Sequence, residues 1–150
     1  MRGLLIALAV AVALPSAAAA DQHGGEENRF GLAGLLSGSN KADLPSLTLA
    51  AGEPIAEGPL MLKSGTYYEI EIEADGSAEL ALAGADFFRA IWIDEIVIEG
   101  LEIRPLGLDS VEFDEAGTME IGFVAIKPGR YELKIPGSTG ENQRVDIIIQ

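Results

Sequence analysis

Tyr68-Glu69-Ile70-Glu71-Ile72-Glu73 is the stretch that decides the fold class. Apolar and acidic residues change places at every step. In an extended chain successive side chains point to opposite faces, so Tyr68, Ile70 and Ile72 fall on a core side and the glutamates on a wet side. Asp75-Gly76 then reads as a hairpin turn, because glycine accepts positive φ without steric cost, and Leu80 and Leu82 resume the alternation. The same device recurs near the C-terminus, where Tyr131, Leu133 and Ile135 oppose Arg130, Glu132 and Lys134, and Val145, Ile147 and Ile149 oppose Arg144 and Asp146.

Working outward, strands are expected at 91–98, 101–106, 111–113, 119–126, 131–135 and 145–149. Lys127-Pro128-Gly129 fits a type II turn, with Pro and Gly at its two central positions. A helix or irregular turn is expected only at Gly84-Ala85-Asp86-Phe87-Phe88-Arg89. Short strands separated by frequent turn signals give an all-β chain folded as an antiparallel β-sandwich, spanning 44–150. Strict alternation through 87–93 sends Phe88, Ala90 and Trp92 to one side and Phe87, Arg89, Ile91 and Ile93 to the other. That predicts core packing, or a face covered by a partner.

Upstream of the sandwich the character changes. Met1-Arg2 followed by the apolar run from Gly3 to Leu14, then Pro15-Ser16 and Ala18-Ala19-Ala20, has the pattern of a signal peptide over 1–20. The run is shorter than the roughly 20 residues a spanning helix requires, so no membrane insertion is expected after cleavage. The destination is then the periplasm or the outside of the cell. Residues 21–43 read as a flexible N-terminal arm: Asp21 to Asn28 is polar, and Ser37-Gly38-Ser39-Asn40 has linker composition. Phe30, Leu32, Leu35 and Leu36 could make one short docking turn between them.

Composition excludes several chemistries. The 150 residues hold 24 Asp+Glu against 10 Lys+Arg, one His and no Cys, for a formal charge of −14. A chain without cysteine has no disulfides, no Cys-ligated zinc and no iron–sulfur centre. Strong negative charge argues against nucleic acid and anionic membrane surfaces, both of which call for basic patches.

The stretch from Phe123 through Lys127-Pro128-Gly129-Arg130-Tyr131 to Ile135-Pro136-Gly137-Ser138-Thr139-Gly140 resembles the closing strands of cupredoxins, and the likeness extends over about 55–150. It implies a Greek-key, cupredoxin-like sandwich whose ligand loop follows the Tyr-bearing strand. The family's type I copper site needs a thiolate and two imidazoles, usually with an axial thioether. Here Ile135 stands where the cysteine is expected, no His or Met follows in 136–143, and the upstream His is absent. The resemblance therefore implies architecture without type I copper, and no enzyme is expected.

One feature points to a metal elsewhere. Cleavage after Ala20 gives a chain beginning Asp21-Gln22-His23. A free α-amine, two amides and a third-position imidazole supply four nitrogens in a plane, which suits Cu(II) or Ni(II). Cleavage after Ala19 destroys that geometry, and the alternative is an incidental histidine on a soluble arm. Glu69, Glu71 and Glu73 could bridge a divalent cation, but a solvated sheet face explains them as well. The window from Asp109 to Glu120 is not an EF-hand, because Val111 and Phe113 occupy ligand positions. Two functions remain: a non-catalytic handler of Cu(II) through Asp21, Gln22 and His23, or an acidic module that docks another periplasmic protein and holds no metal.

Overall fold

The computed structural model describes residues 31–150. The expected signal segment, Phe30 and the Asp21-Gln22-His23 site lie outside the described residues. Among these residues eleven strands and one short α-helix, with three short 3-10 turns, follow in chain order. The strands are β1 (Lys41–Asp43), β2 (Leu47–Leu49), β3 (Leu60–Leu62), β4 (Tyr67–Ala74) and β5 (Leu80–Ala83), then after α1 (Ala85–Phe88) β6 (Ile91–Ile98), β7 (Leu101–Ile103), β8 (Ser110–Phe113), β9 (Gly117–Ala125), β10 (Gly129–Lys134) and β11 (Arg144–Ile149). They form two packed sheets. One runs β1-β4-β9-β6-β7 with β2 also on β4; the other runs β3-β11-β10-β5-β8. No helix among the described residues is long and apolar enough to cross a membrane.

Alternation does what period-two patterning requires. Tyr68, Ile70 and Ile72 of β4 are buried, while Glu69, Glu71 and Glu73 are half-buried or exposed. They pack with Phe123 and Ile121 of β9, Leu133 of β10 and Ile147 of β11 in one core. Phe87 from α1 closes one end of it, edge-on to Phe123 with ring centroids 5.7 Å apart and tilted against Tyr131 at 6.4 Å.

Four expectations need correction. The sheets are mixed rather than wholly antiparallel. β1 and β2 run parallel to β4, and β3 runs parallel to β11. From β2 to β5 the chain crosses between the two sheets at every strand instead of folding back as hairpins, and a strand reached by crossing the sandwich is free to pair in parallel. Pro45, which has no N–H to donate, stands in the break between β1 and β2.

Asp75-Gly76 makes a turn, with Gly76 at φ 74°, but not a hairpin, since β4 and β5 belong to different sheets. The Asp75 carboxylate instead accepts from the Ser77 N–H at 2.8 Å and hydroxyl at 2.6 Å, folding the crossover. The two-residue hairpin lies between β6 and β7, where Glu99 and Gly100 have φ of 49° and 81°.

Gly129 has no positive φ, so the Pro128-Gly129 turn is not type II. Its missing side chain has another use. A Cβ there would lie 2.7 Å from the Tyr131 hydroxyl, which donates to the Lys127 carbonyl at 2.9 Å.

Finally, the part of the arm that is described is attached through Asn40 rather than the leucines. Leu32 and Leu36 are exposed, and Asn40 is buried. Its amide donates to the carbonyls of Leu35 and Gly65, both at 2.9 Å. β1 then begins at Lys41, so the paired body starts before residue 44.

Candidate functional site

Ile135, at the position of the expected copper thiolate, is buried in the core. The loop after it is held by peptide groups. Ile135 N–H donates to the Gln143 carbonyl at 3.0 Å, and Ile55 N–H to the Asn142 carbonyl at 3.0 Å. The Gln143 amide reaches the Glu53 carbonyl at 3.0 Å. No thiolate, imidazole or thioether stands anywhere in 135–143, and the residues present do not fit a type I centre.

Functional groups gather instead on the outer face of the sheet that contains β4. Register sets them in rows. Tyr67, Val124 and Trp92 form one, and Glu69, Gly122 and Glu95 the next. Glu71, Glu120, Val97 and Glu102 form the third. Val124 is fully buried on this outer side, flanked by Tyr67 and by Trp92, which is itself 47% exposed. Trp92 therefore covers an outer apolar row, while Ile91 and Ile93 face the core.

A β-bulge at Asp94 makes the second row polar. The β6–β9 register shifts between Ile93 and Glu95, which turns both acids to the outer face. Arg104 gathers them: its guanidinium lies 3.2 Å from Asp94, 2.9 Å from Glu95 and 3.0 Å from Glu102. The Tyr67 hydroxyl donates to Asp94 at 3.5 Å. Burial, with the charges of Asp94, Glu95 and Glu69, pushes its pKa well above the ordinary phenol range. Lys41 pairs with Glu69, and that hydrogen bond raises the lysine above its usual value.

Glu120 lies between these acids. Partial burial first, then the charges of Glu69, Glu71 and Glu95, hold its carboxyl above the normal range despite Lys41. Glu73 is raised by its hydrogen bond with Glu71. Glu71, Glu99 and Glu120, with Val97 and Thr118, line a shallow depression of about 400 Å³. Carboxylates crowded together in this way favour an incoming cation, which relieves their mutual repulsion.

The three β4 glutamates do not converge on one point. The described carboxylates that do are Glu79, Glu112 and Asp114, exposed on β8 and beside β5, with oxygens within 4.8 Å of one another. Sequence reasoning missed Asp94, Arg104 and Tyr67. A signal for the bulge was present, since Ile93 and Ile96 are three apart where strict alternation requires two.

No family model matches the chain, and no curated protein matches it. Solved structures do. A multi-copper oxidase from Pseudomonas thermotolerans superposes over 75% of this chain at a TM-score of 0.53 and 16% identity. The fold is a cupredoxin-like β-sandwich. The McoA multicopper oxidase 2F4 variant from Aquifex aeolicus agrees over 73% of the chain, with a TM-score of 0.52 and 16% identity. The cupredoxin-like match spans 30% and 29% of those two chains.

Proposed function

We propose that this cupredoxin-like chain is an exported, non-catalytic module that docks a basic surface of another exported protein through the outer face of its β4 sheet. The observation that carries the reading is the row Glu71–Glu120–Val97–Glu102 with Glu69 and Glu95 beside it, answered by Lys41 and Arg104 alone of the cations described above. Acidic faces steer cationic partners and set orientation. The depression between Glu71, Glu99 and Glu120 has room for a lysine or arginine side chain. Trp92 at the end of the face adds an aromatic surface of the kind that anchors interfaces.

The test is capture from native extract with the processed chain as bait, alongside Glu71→Lys/Glu120→Lys. A stoichiometric partner that the double variant loses, and that salt releases, supports the reading. No such partner, or one indifferent to both changes, refutes it.

A second reading is favoured by the chain's single histidine, which falls third after Ala20. Protein beginning at Asp21 would bind one Cu(II) through the terminal amine, two amides and His23, with affinity falling steeply as pH falls. His23→Ala, or one extra residue before Asp21, should abolish the visible copper band. Identical spectra from all three proteins would discard the site.

A further inference from the structure

The core rows that cross from β4 to β7 lose their cover at the last strand. Ile72, Met119 and Ile98 lead to Leu101, with exposures of 1%, 4%, 39% and 63%. Ile70, Ile121 and Ile96 lead to Ile103, with 2%, 2%, 5% and 40%. Side chains that belong to the inner layer by register thus stand in water at a sheet edge, and every residue of β7 is exposed. Among the described residues β7 pairs with β6 alone, and a free edge with an apolar side is a template for another strand.

The chemistry of β7 selects the strand. Glu99 and Gly100 close a two-residue turn with both φ positive, so Ile98 and Leu101 form the hydrogen-bonded pair beside it. By alternation, Leu101 and Ile103 direct their peptide groups to β6, and Glu102 and Arg104 direct theirs to the free edge. Pro105 falls on the β6-directed phase, so its missing N–H takes nothing from that edge. The opposite sheet ends differently. Its edge strand β8 carries Glu112 against Glu79 and Asp114, and two copies meeting there would oppose like charges.

The geometry points to a second copy of this chain as the occupant of the β7 edge, in an antiparallel pair about a two-fold axis at Ile103. In that register Ile103 meets the second copy's Ile103 on the inner side. Glu102 meets the second copy's Arg104 on the outer side, and the reciprocal pair forms across the axis. Arg104 is already held over the outer face by Asp94 and Glu95, beside Glu102. A shift by one residue would set Ile103 against Glu102 in one direction or against Arg104 in the other, and break both the apolar and the charged match. The pairing is short and each chain carries −14, so the dimer is weak and concentration-dependent. This association shares Glu102 and Arg104 with the rim of the docking face proposed above, rests on Ile103 at its centre, and needs no metal.

Sedimentation velocity of the processed chain, from about 5 to about 500 µM, tests it. Wild type should shift from monomer to dimer across that range. Ile103→Lys, a change at an exposed position, should stay monomeric with an unchanged far-UV spectrum. Glu102→Arg and Arg104→Glu should each be monomeric alone and form a heterodimer when mixed, because only the mixture opposes unlike charges. Monomeric wild type throughout would leave the edge to a different partner and overturn the proposal. So would a persisting Ile103→Lys dimer, or two folded charge variants that ignore each other.

Discussion

The hydroxyl of Tyr67 occupies the space that a β-carbon at Gly122 would need. Gly122 lies between Glu69 and Glu95 in its row, and its missing side chain lets the phenol reach across β9 to Asp94. A glycine inside a strand ordinarily weakens it; here it makes the outer-face network possible.

Gly122→Ala should therefore force the Tyr67 ring off its row. The expected cost is about 2 kcal/mol, as for overpacking at a close contact. Urea unfolding measures it. In the same variant one tyrosine should titrate at lower pH than in wild type, because Tyr67 leaves the burial and the carboxylates that raise it. An unchanged unfolding midpoint would contradict the collision.

Asn40→Ala leaves the carbonyls of Leu35 and Gly65 without their donor. A loss of about 1–3 kcal/mol is expected for buried acceptors deprived of a partner. Limited proteolysis should also find cleavage between residues 31 and 40 accelerated, because Asn40 ties the preceding turn to Gly65. Equal rates in variant and wild type would show that the leucines hold this segment instead.

The raised carboxyl of Glu120 makes a signed pH prediction. Its folded pKa exceeds its unfolded value, so the folded state holds the proton more tightly. The favourable contribution is fully present below the unfolded pKa and is lost as pH rises through the folded one. Glu120→Gln should stabilise the protein near neutrality by about 0.5 kcal/mol, discounted for its partial exposure. The gain should vanish on acidification below the ordinary carboxylate range. Parallel curves of urea midpoint against pH for the two proteins would refute it.

Trp92 is the chain's single tryptophan and lies half-exposed on an acidic face. Its fluorescence should be red-shifted, and caesium should quench it better than iodide, with the difference shrinking as salt is added. Blue, unquenchable emission would place it in the core, as strict alternation through 87–93 would have required for a residue with cover on both sides.

Trp92 also shows where local pattern stops being informative. Alternation in 91–93 separates Trp92 from Ile91 and Ile93 correctly, but which side is the core depends on what packs there. α1 supplies that answer. Its turn breaks the period before Ala90, so Phe87 and Phe88 are both buried. The doubled acid at Asp94-Glu95 reverses phase again, and only the pairing with β9 turns it into a bulge that serves Arg104.

Composition and alternation by themselves determined a two-layered β body, its acidic exterior and the want of any thiolate or paired imidazole. These are properties of residue type and of side-chain direction within one strand, which neighbouring strands do not alter. Tertiary structure alone decided that β1 and β2 share the flank of β4, that Gly129 serves Tyr131, and that Leu101 and Ile103 stand uncovered. Each depends on contacts between segments far apart in the chain, whose free energy comes from the surface they jointly bury and is invisible in either segment alone.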